Sequence, residues 1–117
     1  MRYVDGYVLP VPRKNMAAYR RLARVGARLW KKHGALEYME CAGDDLNVKF
    51  GMPFPRLVKP KAGETVVFAF VIFKSRAHRD GVNARVMKDP LLGKMPKKMP
   101  FDVKRMAYGG FKALVEA

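Results

Sequence analysis

With one cysteine and two histidines in 117 residues, the chain has little from which to build a disulfide or a metal cage. Cys41 has no partner within the chain, so no intrachain disulfide can form, a composition that fits a reducing compartment. Nothing basic stands beside it in sequence to activate it, and it reads as a small packed hydrophobe rather than a reactive thiol. His33 and His78 are too far apart for zinc-type spacing. G-x-S-x-G, P-loop and G-x-G-x-x-G patterns are all missing, which removes the ordinary hydrolase, nucleotide-binding and Rossmann readings. No cofactor signature remains, and none is expected. The longest apolar run, Thr65 to Phe73, is about half of the roughly 18 residues that a membrane span needs. The opening "MRYVDGYVLPVP" carries an Asp and a Gly where a signal peptide would have its apolar segment. A soluble cytoplasmic protein without membrane association is the expectation.

Acidic residues are also scarce. Ten Asp and Glu stand against 24 Lys and Arg, a formal net charge of +14, which invites an anionic partner and says nothing about the fold. What is present is a globular composition, half hydrophobic and 29% charged, of a size that supports one core. We therefore expect a single domain over residues 1–117.

Along the chain, Tyr3 to Leu9 reads as a strand closed by Pro10 and Pro12. Met16, Tyr19, Ala23, Gly26, Trp30 and His33 then recur on one helical face, with Asn15 as N-cap and Gly34 just past the end. His33, closing that helix where a cation is favourable, reads as structural. Leu36 to Ala42 is a second strand. Residues 46–63, with Pro53, Pro55 and Pro60, form a long connection with room for a short edge strand. Thr65 to Phe73 is a third strand, rich in β-branched and aromatic residues on both parities. Ser75 caps a second helix that ends near Lys88, before "DP". Arg105 to Val115 is the last strand. The order β-α-β-β-α-β is that of an α+β, ferredoxin-like subunit.

The third strand carries a further implication. Two helices cover one face of such a sheet, yet both parities of this strand are apolar, so the second face also needs a cover. A second copy of the chain, sheet against sheet in a two-fold homodimer, supplies it. Single-stranded RNA is the alternative. Phe68-Ala69-Phe70-Val71-Ile72-Phe73 fits the last six positions of an RNP1 pattern, with Phe68 and Phe70 sharing a face for base stacking. Val66-Val67 stands where that pattern wants a basic residue and glycine, and the first strand offers no partner motif. The first helix carries Arg20, Arg24 and Arg28 at i, i+4 spacing with no acid near them. It reads as a solvated face capable of weak, non-specific polyanion binding.

The segments "YVDGYVLPVP", "GALEYMECAGDD", "GETVVFAFVIFKSRAHRDGVNARVMKDP" and "MPFDVKRMAYGGFK" resemble the YbaA-like bacterial family, domain of unknown function 1428. The resemblance spans nearly the whole chain and is weakest over 46–60. It implies a ferredoxin-like subunit in a dimeric α+β barrel, and it implies no activity.

On the second helix, His78, Val82 and Val86 follow i, i+4, i+8, with Arg79 and Asn83 one step round, bordering the seam toward the sheet. A histidine and an arginine at the edge of an apolar cleft suit a small, anionic metabolite. Tyr108 in "MAYGGF" and Tyr7 in the first strand can add hydroxyls from the sheet. The expected ligand site therefore comprises Arg79, Asn83, Tyr108 and Tyr7, with His78 as the candidate acid or base of a cofactor-independent proton transfer or oxygenation, if the protein is an enzyme. A structural dimer in which these side chains only satisfy one another is the competing reading. Glu37 and Glu40 have opposite strand parity and are not expected to act as a carboxylate pair.

Overall fold

The computed structural model describes residues 1–117. Four strands, β1 (Tyr3–Pro12), β2 (Glu37–Ala42), β3 (Glu64–Phe73) and β4 (Ala107–Lys112), form one sheet in the order β2-β3-β1-β4. Every neighbouring pair is antiparallel, with Tyr3 opposite Phe73, Tyr7 opposite Tyr108, and Tyr38 opposite Val71. Three helices accompany it: α1 (Met16–Lys32), the short α2 (Phe54–Val58) and α3 (Arg76–Met87). The fold class is thus α+β, with a four-stranded antiparallel sheet. No helix is long and apolar enough to cross a membrane.

β1 runs three residues further than its prolines suggest. The last pair with β4 is Val8 with Ala107, so Pro10 and Pro12 lie where β1 has only β3 beside it, and their missing amides break no second ladder. β4 is shorter than expected at both ends. Arg105 belongs to a 3₁₀ turn, where its guanidinium pairs with Glu64 at 2.8 Å and anchors the turn to the start of β3. In the long connection the structure has α2 rather than an edge strand, beginning at Pro53-Phe54-Pro55, where proline suits a helical first turn.

The helices end as their sequences suggest, with one exception. The Ser75 hydroxyl accepts from the His78 amide at the start of α3. At α1 the Asn15 side chain makes no cap; it donates instead to the Pro100 carbonyl at 3.0 Å, tying the helix start to the 95–106 connection. Gly34 follows α1 at φ +115°, a conformation that disfavours any side chain.

Pleat alternation divides the sheet cleanly. Odd positions of β1 and β3, from Tyr3 to Val11 and from Val67 to Phe73, face α1 and α3, where Leu29, Val82, Val86, Val71 and Phe73 form the main core. A second cluster of Leu9, Val11, Tyr19 and Val67 packs under the first half of α1. The even positions form the other face. There Phe68, Met39 and Phe111 are 44%, 50% and 62% exposed, and cover comes at one margin, from α2, with the Phe54 ring 6.3 Å from that of Phe68, and from Leu46 near Val66. Cys41 is half-buried on this same face, opposite Phe68.

Candidate functional site

Between α1 and the sheet the core is incomplete. A cleft of about 180 Å³ lies there, lined by Tyr7 and Leu9 of β1, Tyr38 and Glu40 of β2, and Tyr19, Ala23 and Trp30 of α1. Met95, Met99, Phe101 and Met106, from the connection between α3 and β4, close its outer side. Packing of this kind follows from the sequence. α1 turns Tyr19, Leu22, Ala23, Gly26 and Trp30 inward at helical spacing, and Ala23 leaves room where a leucine would fill it, while Gly26 makes way for the Tyr38 hydroxyl.

Glu40 is the only charged residue in the lining. β2 places it on the helix-facing side beside Tyr38, two residues away on the same strand face. Its carboxylate accepts a hydrogen bond from the Tyr38 hydroxyl at 2.6 Å on one oxygen and from the Tyr19 hydroxyl on the other. Burial first, and then the Glu40 carboxylate, push both phenols far above their ordinary pKa, so each stays a donor. Gly26 makes room for this arrangement, because a Cβ there would stand 2.8 Å from the Tyr38 hydroxyl and displace it. Tyr7 stacks on Tyr108 with ring centroids 4.8 Å apart, and burial followed by the charge of Asp5 raises its pKa as well.

The residues expected from sequence divide into two groups. Arg79, Asn83 and Tyr108 do come together, around a residue that the sequence reading missed. Asp5, fully buried on the helix-facing side of β1, receives Arg79 Nη1 at 2.8 Å and the Tyr108 hydroxyl at 3.3 Å, with the Asn83 side chain beside it. Arg79 also donates to Asp80 at 2.7 Å and lies over the Tyr3 ring, 5.0 Å from its centroid. Burial raises the Asp5 pKa, with Arg79, Tyr108 and Asn83 restraining the rise. Arg79 keeps its charge: burial works against it, but the hydrogen bond to Asp80 and the field of Asp5 outweigh that. Asn83 accepts from the Trp30 indole at 3.0 Å. A hydrogen bond thus joins Trp30 to Asn83 and another joins Tyr108 to Asp5, while Tyr108 stacks on Tyr7, so Trp30 and Tyr7, both in the cleft lining, adjoin the cluster.

His78 stands apart. Its Nδ1 accepts from the Lys74 amide at 2.9 Å, its ring meets Phe73 edge-on, and it lines no part of the cleft. Of the other named positions, only Tyr7 lines it, and the cleft lies under α1 rather than under α3. His33 is held by Asp89, at 2.7 Å, which also pairs with Lys32 at 2.9 Å and so locks the end of α1 to the segment after α3. No group of three or more His, Cys, Asp and Glu side chains gathers into a metal-binding arrangement. On the open sheet face, Phe68 and Phe70 stand 6.1 Å apart, but with Phe54 seated against Phe68 that ring is not free on every side for a base.

Two sequence features mark the missed residues. Asp5 is a carboxylate at inward parity in an otherwise apolar strand, "YVDGYVL", and Glu40 is another in "EYMECA". A buried acid needs a partner, so each is a pointer to a polar cluster.

A family model described as "Protein of unknown function (DUF1428)" matches residues 2–103 of the chain. Over 116 residues, covering 99% of both chains, it is 40% identical to the uncharacterized protein YbaA of Escherichia coli K12. The same identity and coverage relate it to the uncharacterized protein YbaA of Shigella flexneri.

Proposed function

The chain belongs to the DUF1428 family of proteins of unknown function, and we propose that it works as a cytoplasmic, dimeric small-molecule-binding protein whose ligand enters the cleft between α1 and the sheet. One observation carries this reading. In a lining otherwise made of apolar and aromatic side chains, a single carboxylate is oriented by two tyrosine hydroxyls, which is the combination of apolar walls and few convergent polar groups typical of ligand sites. The volume is of the order of a benzene-sized cavity, so an aryl ring or short alkyl body fits. Glu40 accepts from its two phenols and retains lone pairs for a ligand hydroxyl or amine. Arg79, whose charge is answered by Asp5 and Asp80, holds the wall behind the site. If the protein is an enzyme, the chemistry is cofactor-independent proton transfer or oxygenation, with Glu40 in the place first given to His78.

The strand order with two helix-bearing crossovers supports a ferredoxin-like subunit, and the exposed Phe68, Met39 and Phe111 support a two-fold dimer through the open face. Four strands about 4.8 Å apart and about six to ten residues long present roughly 500 Å² of sheet. With α2 added at the margin, that approaches the roughly 800 Å² per partner of a stable interface.

The binding reading is tested with 3-phenylpropanol as probe, by calorimetry on the wild type, Glu40→Gln and Ala23→Phe. Saturable binding is expected to weaken about tenfold in Glu40→Gln, which exchanges a charged acceptor for a neutral one. It is expected to vanish in Ala23→Phe, which fills the cleft. Binding unaffected by both substitutions defeats the reading.

A further inference from the structure

On the outer side of the same helix lies a second, larger hollow of about 620 Å³, between α1 and the segment Lys94–Pro100. Four cations line it, Lys14 and Arg21 from α1 and the turn before it, Lys94 and Lys98 from the facing segment, and it contains no acidic residue. None of the four takes part in a salt bridge or a side-chain hydrogen bond anywhere in the molecule, although the protein pairs Lys32, Arg79 and Arg105 with carboxylates. With 24 basic against 10 acidic residues, cations left unpaired are unsurprising; cations converging from two sides on one hollow are a different matter. Like charges so placed repel one another and lower the stability of the free protein, a cost that a bound anion reverses.

The hollow and the cleft are neighbours. Leu22, Met95 and Met99 line both, so the same side chains, two of them methionines, border an apolar chamber and a cationic one. Methionine is the side chain that most readily moves aside, being unbranched and flexible. We propose that the ligand of the cleft is a phosphate monoester, with an aryl- or alkyl-sized body against Tyr7, Tyr38 and Trp30 and its phosphate among Lys14, Arg21, Lys94 and Lys98. This rests on the cleft being a ligand pocket and adds the chemical class of what it takes. Four cations match a dianionic phosphate better than a single carboxylate, and Lys and Arg bind phosphate oxygens by charge-assisted hydrogen bonds. A polymeric phosphate, such as single-stranded nucleic acid, would use the hollow but leave the cleft empty.

The experiment compares 3-phenylpropyl phosphate with 3-phenylpropanol by calorimetry at roughly 50 mM salt, where surface charges are only partly screened. The phosphate is expected to bind at least about tenfold more tightly than the alcohol. Lys94→Gln/Lys98→Gln is expected to reduce that preference to less than about threefold, because removing a charge-assisted hydrogen bond weakens binding several-fold. Lys14→Gln/Arg21→Gln is the same test from the α1 side. If the alcohol binds and the phosphate gains nothing, the phosphate assignment is overturned while the cleft stands. A preference that survives both double variants overturns it too, by locating the anion elsewhere. If neither probe binds, the cleft reading falls and this inference with it. A ten-nucleotide single strand that binds through these lysines and is not displaced by 3-phenylpropyl phosphate overturns the assignment in favour of nucleic acid.

Discussion

Replacing Arg79 by methionine removes the one cation that faces Asp5 while preserving most of the stem that packs on Tyr3. Asp5 is fully buried, and the pair distance is 2.8 Å, so the variant strands a carboxylate in the interior with only the Tyr108 hydroxyl as a neutral donor and the Asn83 side chain beside it. Breaking a buried pair from one side costs about 3–5 kcal/mol. The Tyr108 hydroxyl and the polar Asn83 side chain that remain place this case near about 3 kcal/mol, or roughly a 10 °C fall in Tm for a chain of this size. The pH dependence has a definite sign. Burial raises the Asp5 pKa in the folded protein, so folding takes up protons and stability falls as pH rises from the ordinary carboxylate value through the folded one. Without Arg79 the folded pKa climbs further, so the deficit of the variant is largest near neutral pH and shrinks toward pH 4. Urea unfolding at fixed protein concentration, from pH 4 to 8, measures both, and Asp5→Asn/Arg79→Met is expected to recover at least half of the loss. A deficit below about 1 kcal/mol at pH 7 that is also flat with pH would refute the reasoning, because it would mean that Asp5 does not depend on Arg79.

Three other outcomes follow from the same structure. Light scattering at micromolar concentration is expected to give the mass of two chains. Phe68→Asp is expected to give monomer or aggregate, since it buries an unpaired charge in the proposed interface; a single-chain mass for the wild type contradicts the dimer. Asp89 is held well below the usual carboxylate range by the Leu91 amide and by Lys32 and His33, so its contribution is present above about pH 4 and is lost as pH falls; thermal unfolding curves of wild type and Asp89→Asn should converge in acid, and parallel curves would remove Asp89 from the account. Affinity for single-stranded RNA is expected to be weak and to disappear in several hundred millimolar salt, roughly as a phosphate-only interaction does; salt-resistant binding lost in Phe68→Ala would restore the stacking reading.

The order of strands and the two long helices could be read from local pattern, the helices from an apolar face at helical spacing and β3 from a β-branched and aromatic run that is apolar on both parities. Boundaries were harder where neighbours decide them. Pro10 and Pro12 stay in β1 only because β4 begins opposite Val8 and leaves them unflanked on that side, a fact of register that no local rule contains. Asn15 looks like a cap, yet it bonds 85 residues away to Pro100. The cluster of Arg79, Asn83 and Tyr108 was legible from α3 and β4 parity, but its centre was not, since Asp5 lies in a strand read for its apolar residues. The cleft itself was least visible. It results from small residues on α1 meeting a connection rich in methionine, and absent volume leaves a trace in sequence only as Ala23 where a larger residue would pack.

The central claim is that the space beneath α1 receives a small molecule. Methionine methyl resonances test it directly, because Met95, Met99 and Met106 line the cleft while Met1, Met39, Met52 and Met87 are exposed elsewhere. On titration with 3-phenylpropanol, the first three are expected to shift saturably and the other four to stay in place. Shifts confined to Met39 and Met52, or no saturable shift at any methyl, would contradict it.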